Sequence, residues 1–141
     1  MTSQLNVDTI VDKAGSGGTN VKIGNTSTYV GEGGSGTQNT VQGLTKVWCS
    51  WNDSTATQDS FNVSSIGDEA TGVTMVNFSN NLGNDDYALA GAARQVSGGG
   101  DAFMRLSSTR ETSRQRLLCC TENGTDYDGE TQTILFSGDL A

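Results

Sequence analysis

The sequence contains no histidine and no proline. Without histidine the most common general base of enzymes is missing, and Ser-His-Asp and Cys-His catalytic arrangements are excluded. Without proline, turns must depend on glycine, asparagine and aspartate, which reach positive φ at low cost. The missing histidine favours a structural or binding protein over an enzyme.

Positive charge is also scarce, with 8 lysines and arginines against 16 acids and a formal net charge of −8. Nucleic-acid binding draws most of its affinity from basic residues that neutralise phosphates, so we expect neither a nucleic acid nor an anionic membrane as a partner. No apolar run approaches the roughly 20 residues of a membrane span, and Met1–Lys13 shows no signal-peptide pattern. We therefore expect assembly in the cytoplasm.

The cysteines are three in number, Cys49, Cys119 and Cys120, so they cannot all pair within one chain. A bridge between the two neighbours would be strained, and no CxxC pair or histidine accompanies them to form a metal site. We predict buried free thiols and no cofactor. The acidic segment Asp126–Glu130 is either a solvated turn or a weak cation site, because it lacks the spacing of a calcium loop.

Two N-terminal segments differ in composition from the rest of the chain. Residues 1–14 carry a short apolar pattern that predicts attachment to another surface, although a frayed terminus is the alternative. The candidate attachment residues are Leu5, Val7, Ile10 and Val11. Residues 15–45 are rich in Gly, Ser, Thr and Asn and cannot fold alone, so they form either a linker or a stalk that pairs with copies of itself. The candidate stalk interface residues are Val21, Ile23, Tyr29 and Val30.

Residues 46–141 are the predicted folded domain, where strand-like segments alternate with turns rich in Gly, Asn and Asp. The predicted strands are Lys46–Trp51, Ser60–Ile66, Gly72–Phe78, Tyr87–Val96, Phe103–Ser108, Arg114–Thr121 and Thr131–Ser137. No amphipathic helical stretch is present to connect parallel strands. About seven short strands therefore predict an antiparallel β-sandwich.

Several predicted strands are apolar on both faces, including Val47–Cys49, Leu117–Cys120 and Ile134–Phe136. In a lone sandwich every second side chain faces water and should be polar. A subunit interface would cover the second face, and Trp48 and Leu118 are candidates for it. The alternative is that end strands fold over one another within a monomer.

Two tryptophans and a group of arginines are the candidate ligand contacts. Trp48 and Trp51 have an odd separation, so a strand turns them to opposite faces, one toward the core and the other toward an interface or ligand. The candidate glycan contacts are Trp51, Arg105, Arg114 and Arg116. The alternative for these arginines is a solvated hairpin in which they pair with nearby acids.

Six stretches of the sequence carry a family likeness: Ser3–Ile10, Lys46–Trp51, Asp59–Ile66, Gly72–Phe78, Asn84–Ala93 and Thr133–Gly138. The first resembles the N-terminus, and the others resemble a C-terminal module, of tail-fibre-like and other structural proteins of tailed bacteriophages, especially phages of marine bacteria. The phrase DSFNVSSI at 59–66 is the sharpest part. The chain departs from the family in lacking a proline before Tyr87 and in being much shorter than a long tail fibre.

The resemblance implies a virion component, usually a homotrimer, that is attached through its N-terminal part to other proteins of the phage head or tail. The short length favours a whisker, knob, head fibre or decoration spike. We therefore expect a non-enzymatic structural protein of the virion, assembled in the host cytoplasm. A receptor-binding module that recognises host surface glycan is the second hypothesis.

Overall fold

Ten β-strands, and no helix, form in the residues that the computed structural model describes, which are 28–30, 36–40, 43–94 and 102–139. The strands are β1 (Thr28–Val30), β2 (Thr37–Asn39), β3 (Val47–Asn52), β4 (Thr57–Phe61), β5 (Val63–Ala70), β6 (Val73–Phe78), β7 (Ala88–Arg94), β8 (Ala102–Leu106), β9 (Arg114–Thr121) and β10 (Thr131–Ser137). Within these ranges no helix is long and apolar enough to cross a membrane. The all-β prediction is confirmed.

The chain divides into two compact units after Val41. In the first unit, β1 and β2 pair antiparallel, with Thr28 opposite Asn39 and Val30 opposite Thr37. A two-stranded pair is only marginally stable in water, so this one needs further contacts. The sequence did not predict these strands because threonine, glutamine and asparagine occupy most of their positions. The segment Asn20–Asn25, whose alternating apolar pattern also predicts a short strand, lies outside the described residues.

The second unit is one antiparallel sheet of eight strands in the order β4-β3-β10-β7-β8-β9-β6-β5. Strands β9 and β10 have the bounds that the sequence predicted. The edge strands β4 and β5 follow each other in the chain with only Asn62 between them, so the sheet curls until it is nearly barrel-shaped. The prediction of a single strand at 60–66 is wrong, because Asn62 divides this segment between β4 and β5.

Asn62 forms the junction between the two edge strands. Its φ is 59°, in the left-handed region that asparagine tolerates better than most residues. Its side-chain amide donates to the carbonyl oxygens of Lys46 and Asn80, both at 3.1 Å, and its Oδ1 accepts from the Asn80 backbone amide at 2.7 Å. One side chain thus ties the start of β3 to the loop after β6.

The core lies inside the curled sheet, because alternate side chains of β3, β6, β9 and β10 point inward. Its fully buried members include Val47, Cys49, Trp51, Val76, Leu117 and Phe136. The ring of Phe136 packs edge-on against Phe78 and Tyr87, with centroid separations of 5.2 and 5.5 Å. All three cysteines are buried and unpaired, which confirms the predicted free thiols.

The acidic turn after β9 is tied to the turn between β5 and β6. Gly72 has φ +73°, and a Cβ there would meet the carbonyl oxygen of Cys119. The Gly72 amide donates to Oδ1 of Asp128 at 2.5 Å, and the Tyr127 amide donates to the Cys119 carbonyl at 3.0 Å. Asp128 therefore has a structural partner in the fold.

Candidate functional site

A continuous row of apolar side chains crosses the outward surface of four neighbouring strands, β4, β3, β10 and β7. The strand register places Phe61 opposite Trp48, Trp48 opposite Leu135, and Leu135 opposite Ala90. Opposite residues in an antiparallel sheet share a face and approach within contact distance. We call Phe61, Trp48, Leu135 and Ala90 the outer row.

The large side chains of the outer row are exposed to solvent. Phe61 is 53% exposed, Leu135 43% and Trp48 36%. Their chain neighbours Val47, Cys49, Ile134 and Phe136 are buried, since successive residues of a strand alternate between the two faces. Full burial of one such apolar side chain stabilises a protein by roughly 1.5–3 kcal/mol. Within the described residues of one chain, the large side chains of the outer row do not gain this free energy.

The rest of this surface is nearly free of charge. We call the outward residues of the four strands the apolar face; they are Asp59, Phe61, Trp48, Ser50, Asn52, Thr131, Thr133, Leu135, Ser137, Ala88, Ala90, Ala92 and Arg94. The charged members are Asp59, on an edge strand, and Arg94, at a strand end, where it pairs with Glu130 at 3.2 Å. The Ser50 hydroxyl is already engaged, donating to Oε1 of Gln58 at 2.9 Å. The centre of the face therefore presents carbon atoms and neutral polar groups.

The opposite half of the sheet presents a different outward surface, on β8, β9 and β6. Arg105 lies opposite Leu118, Arg116 opposite Met75, and Arg114 opposite Asn77. We call the outward residues Arg105, Arg114, Arg116, Leu118 and Phe103 the arginine face. The predicted glycan contacts Arg105, Arg114 and Arg116 are thus brought together.

Two of these arginines have carboxylate partners. Nε of Arg114 lies 2.8 Å from Oε2 of Glu111, and Nε of Arg116 lies 2.6 Å from Oε2 of Glu69. The guanidinium of Arg110 stands 5.9 Å above the Tyr87 ring. These pairs fit the interpretation in which arginines pair with nearby acids, and partly exposed pairs of this kind contribute little to stability.

Trp51 does not lie on any outward surface. Its side chain is fully buried on the inner face of β3, whereas Trp48 points outward. The prediction that Trp51 contacts a glycan is therefore wrong, because a core side chain cannot meet a ligand in solvent. The prediction that the two tryptophans occupy opposite faces is confirmed.

The predicted interface residues are spread over separate places. Trp48 belongs to the outer row, whereas Leu118 is half-buried on the arginine face, and strands β10, β7 and β8 separate β3 from β9. One flat contact cannot use both residues. In the first unit, Tyr29 pairs with Gln38 through the backbone, and Val30 is 56% exposed. The remaining predicted residues lie outside the described ranges; they are Val21, Ile23, Leu5, Val7, Ile10 and Val11.

Neighbouring carboxylates could act as an acid and base pair, and the chain has such candidates at Asp85 with Asp86 and at Asp128 with Glu130. Each of these four has a structural partner or lies in solvent. Asp128 accepts from the Gly72 amide, and Glu130 pairs with Arg94. Asp85 and Asp86 are exposed in the loop before β7. Among the described residues there is no group of three His, Cys, Asp or Glu side chains placed to hold a metal ion.

Sequence reasoning did not name Phe61, Leu135 and Ala90 as interface candidates. The apolar run at 134–136 contained a signal for Leu135, since it showed a strand apolar on both faces. Phe61 and Ala90 gave no comparable signal, because their significance depends on the strands that lie beside them.

No protein-family model, curated protein or solved structure matches the chain. The function is therefore inferred from the two outward surfaces and from the phage-module resemblance.

Proposed function

We propose that this protein is a non-enzymatic structural component of a tailed-phage virion, a short trimeric fibre or spike attached to the head or tail through residues 1–14. The outer row is the observation that carries the proposal. Phe61, Trp48 and Leu135 give the domain an exposed apolar surface on its outward side. Such patches on small soluble proteins mark sites of protein association.

Two further features support a structural role. The chain has no histidine, and the carboxylates of Asp128 and Glu130 are engaged by partners within the fold, which supports a non-catalytic role. Asn62, the junction between the edge strands, lies in DSFNVSSI at 59–66, the sharpest part of the phage-module resemblance. The resembling residues therefore include one that determines how the sheet curls.

The number of copies is tested by measuring the mass of the purified full-length chain. We expect sedimentation velocity and native mass spectrometry to give three times the chain mass of 14.7 kDa at micromolar concentration. A well-folded monomer over the whole concentration range would contradict the trimer.

Attachment to the particle is tested by deleting residues 1–14. We expect the shortened protein to keep its β-domain, shown by an unchanged thermal transition, and to be lost from purified virions, shown by immunoblotting. Full-length protein expressed from the same promoter is the control. Normal incorporation of the shortened protein would place the anchor elsewhere in the chain.

Recognition of host glycan is a second candidate function, favoured by one observation. Trp48 and Phe61 are exposed aromatic side chains opposite each other on neighbouring strands, which is a platform on which sugar rings can stack. Glycan-array binding that is lost on Trp48→Ala substitution would support this role. Binding at background level for the unmodified protein would leave the structural role alone.

A further inference from the structure

We infer that the apolar face is the surface through which copies of this chain associate, with Trp48 and Leu135 turned toward the neighbouring copies and the arginine face left toward solvent. The inference rests on the proposed function, in which copies of the chain associate, and identifies the surface through which they do so. The other possible occupants of the face, a glycan or an unlike protein, are outcomes of the test below.

Charge distribution selects this face as the contact between identical chains. Each copy carries a formal net charge of −8, so two copies repel each other at long range. Their approach is least unfavourable where the local surface has few charges. The centre of the apolar face has none, and Asp59 and Arg94 lie at its borders. A contact between identical copies of the arginine face would instead bring the charge of Arg105 close to that of its copies and would desolvate the Arg114–Glu111 and Arg116–Glu69 pairs.

The size of the face sets how much surface it can bury on association. Four strands at a spacing of about 4.8 Å, each about six residues long at about 3.3 Å, cover about 19 by 20 Å, or roughly 400 Å². Two copies face to face would bury roughly 800 Å², and three copies would divide roughly 1,200 Å² among three contacts. A stable pairwise interface buries at least about 1,200 Å², so the apolar face accounts for part of a stable contact between copies.

A pair of charge substitutions tests the assignment. Leu135→Glu places a carboxylate at the centre of the apolar face, and Phe103→Glu places one at a 50% exposed position on the arginine face. We expect Leu135→Glu to weaken association at least 100-fold in sedimentation velocity and Phe103→Glu to change it less than threefold. Far-UV circular dichroism and the thermal transition check that both variants fold.

The outcomes test two claims separately, namely which face makes the contact and how many copies associate. A trimer that Leu135→Glu leaves intact overturns the assignment of the face, while the trimeric proposal stands. A dimer that Leu135→Glu dissociates supports the face and overturns the trimer. A wild-type monomer overturns the inference, and glycan binding by that monomer, lost on Trp48→Ala, would assign the face to a sugar.

Thiol protection gives a second measurement that adds no charge to the apolar face. Leu135→Cys and Arg114→Cys each add one accessible thiol away from the native cysteines, and the three native cysteines are buried, so a maleimide reports the new position. We expect Leu135→Cys to react at least tenfold more slowly than Arg114→Cys at concentrations where the protein is associated, with the difference lost on dilution. Equal rates at all concentrations would overturn the inference.

Discussion

Cys49 lies on the inner face of β3 with 1% of its surface exposed. Desolvation by burial raises the pKa of its thiol to about 12. An exposed thiol in the unfolded chain titrates near 8.5, so the folded state holds a proton that the unfolded state releases at alkaline pH.

Stability should therefore fall as the pH rises above about 8.5, because the raised folded-state pKa contributes fully only below the unfolded value. The loss approaches about 1.4 kcal/mol per pH unit for this thiol, or about 2 kcal/mol between pH 8.5 and 10. We expect urea unfolding under reducing conditions to show this drop in the wild type. Cys49→Ala should show a drop smaller by that amount, and parallel pH dependence of the two proteins would contradict the prediction.

At the scale of elements, the junction at Asn62 determines how β4 and β5 close the sheet. The left-handed backbone and the side-chain contacts to Lys46 and Asn80 act at the same residue. Two substitutions separate their contributions. Glycine adopts the left-handed backbone without strain but lacks the side-chain hydrogen bonds. Alanine lacks the hydrogen bonds and is also strained in that conformation.

We expect Asn62→Gly to lower the free energy of unfolding by roughly 1–2 kcal/mol through lost hydrogen bonds, and Asn62→Ala by roughly 2–4 kcal/mol because left-handed strain is added. Urea denaturation monitored by tryptophan fluorescence measures both. Asn80→Ala is a matched control that removes only the Asn80 side-chain amide, which donates to Oδ1 of Asn62 at 3.0 Å, and keeps the backbone contacts of the junction. Equal stability of the Gly and Ala variants would show that the left-handed conformation is not a source of strain.

At the scale of the whole molecule, the net charge of −8 opposes association while the apolar face promotes it. Salt screens the repulsion, with a Debye length of about 10 Å at 0.1 M, and leaves apolar contacts largely unaffected.

Association should therefore strengthen as NaCl is raised from about 20 mM to about 300 mM, because the screening length falls well below the size of the domain. We expect the midpoint concentration of association to fall several-fold in sedimentation equilibrium. The Leu135→Glu variant serves as the control and should stay dissociated at both salt concentrations. Dissociation by salt would indicate that charge pairs, such as those of the arginine face, hold the copies together.

The sequence by itself determined the all-β class, the strands near 46–137 and the free thiols. Each of these follows from local pattern: alternation and turn residues indicate the strands, and three cysteines without CxxC spacing or histidine indicate free thiols. It also showed that strands such as 134–136 are apolar on both faces. Odd spacing placed Trp48 and Trp51 on opposite sides, but not which of them faces the core.

Only the tertiary structure decided which residues become neighbours. Phe61, Trp48, Leu135 and Ala90 come from four segments of the chain and form one row solely through strand order and register. It also assigned Trp51 to the core and separated Leu118 from Trp48. The physical reason is that a strand's own alternation determines its two faces, whereas pairing between distant segments determines which outward residues lie side by side.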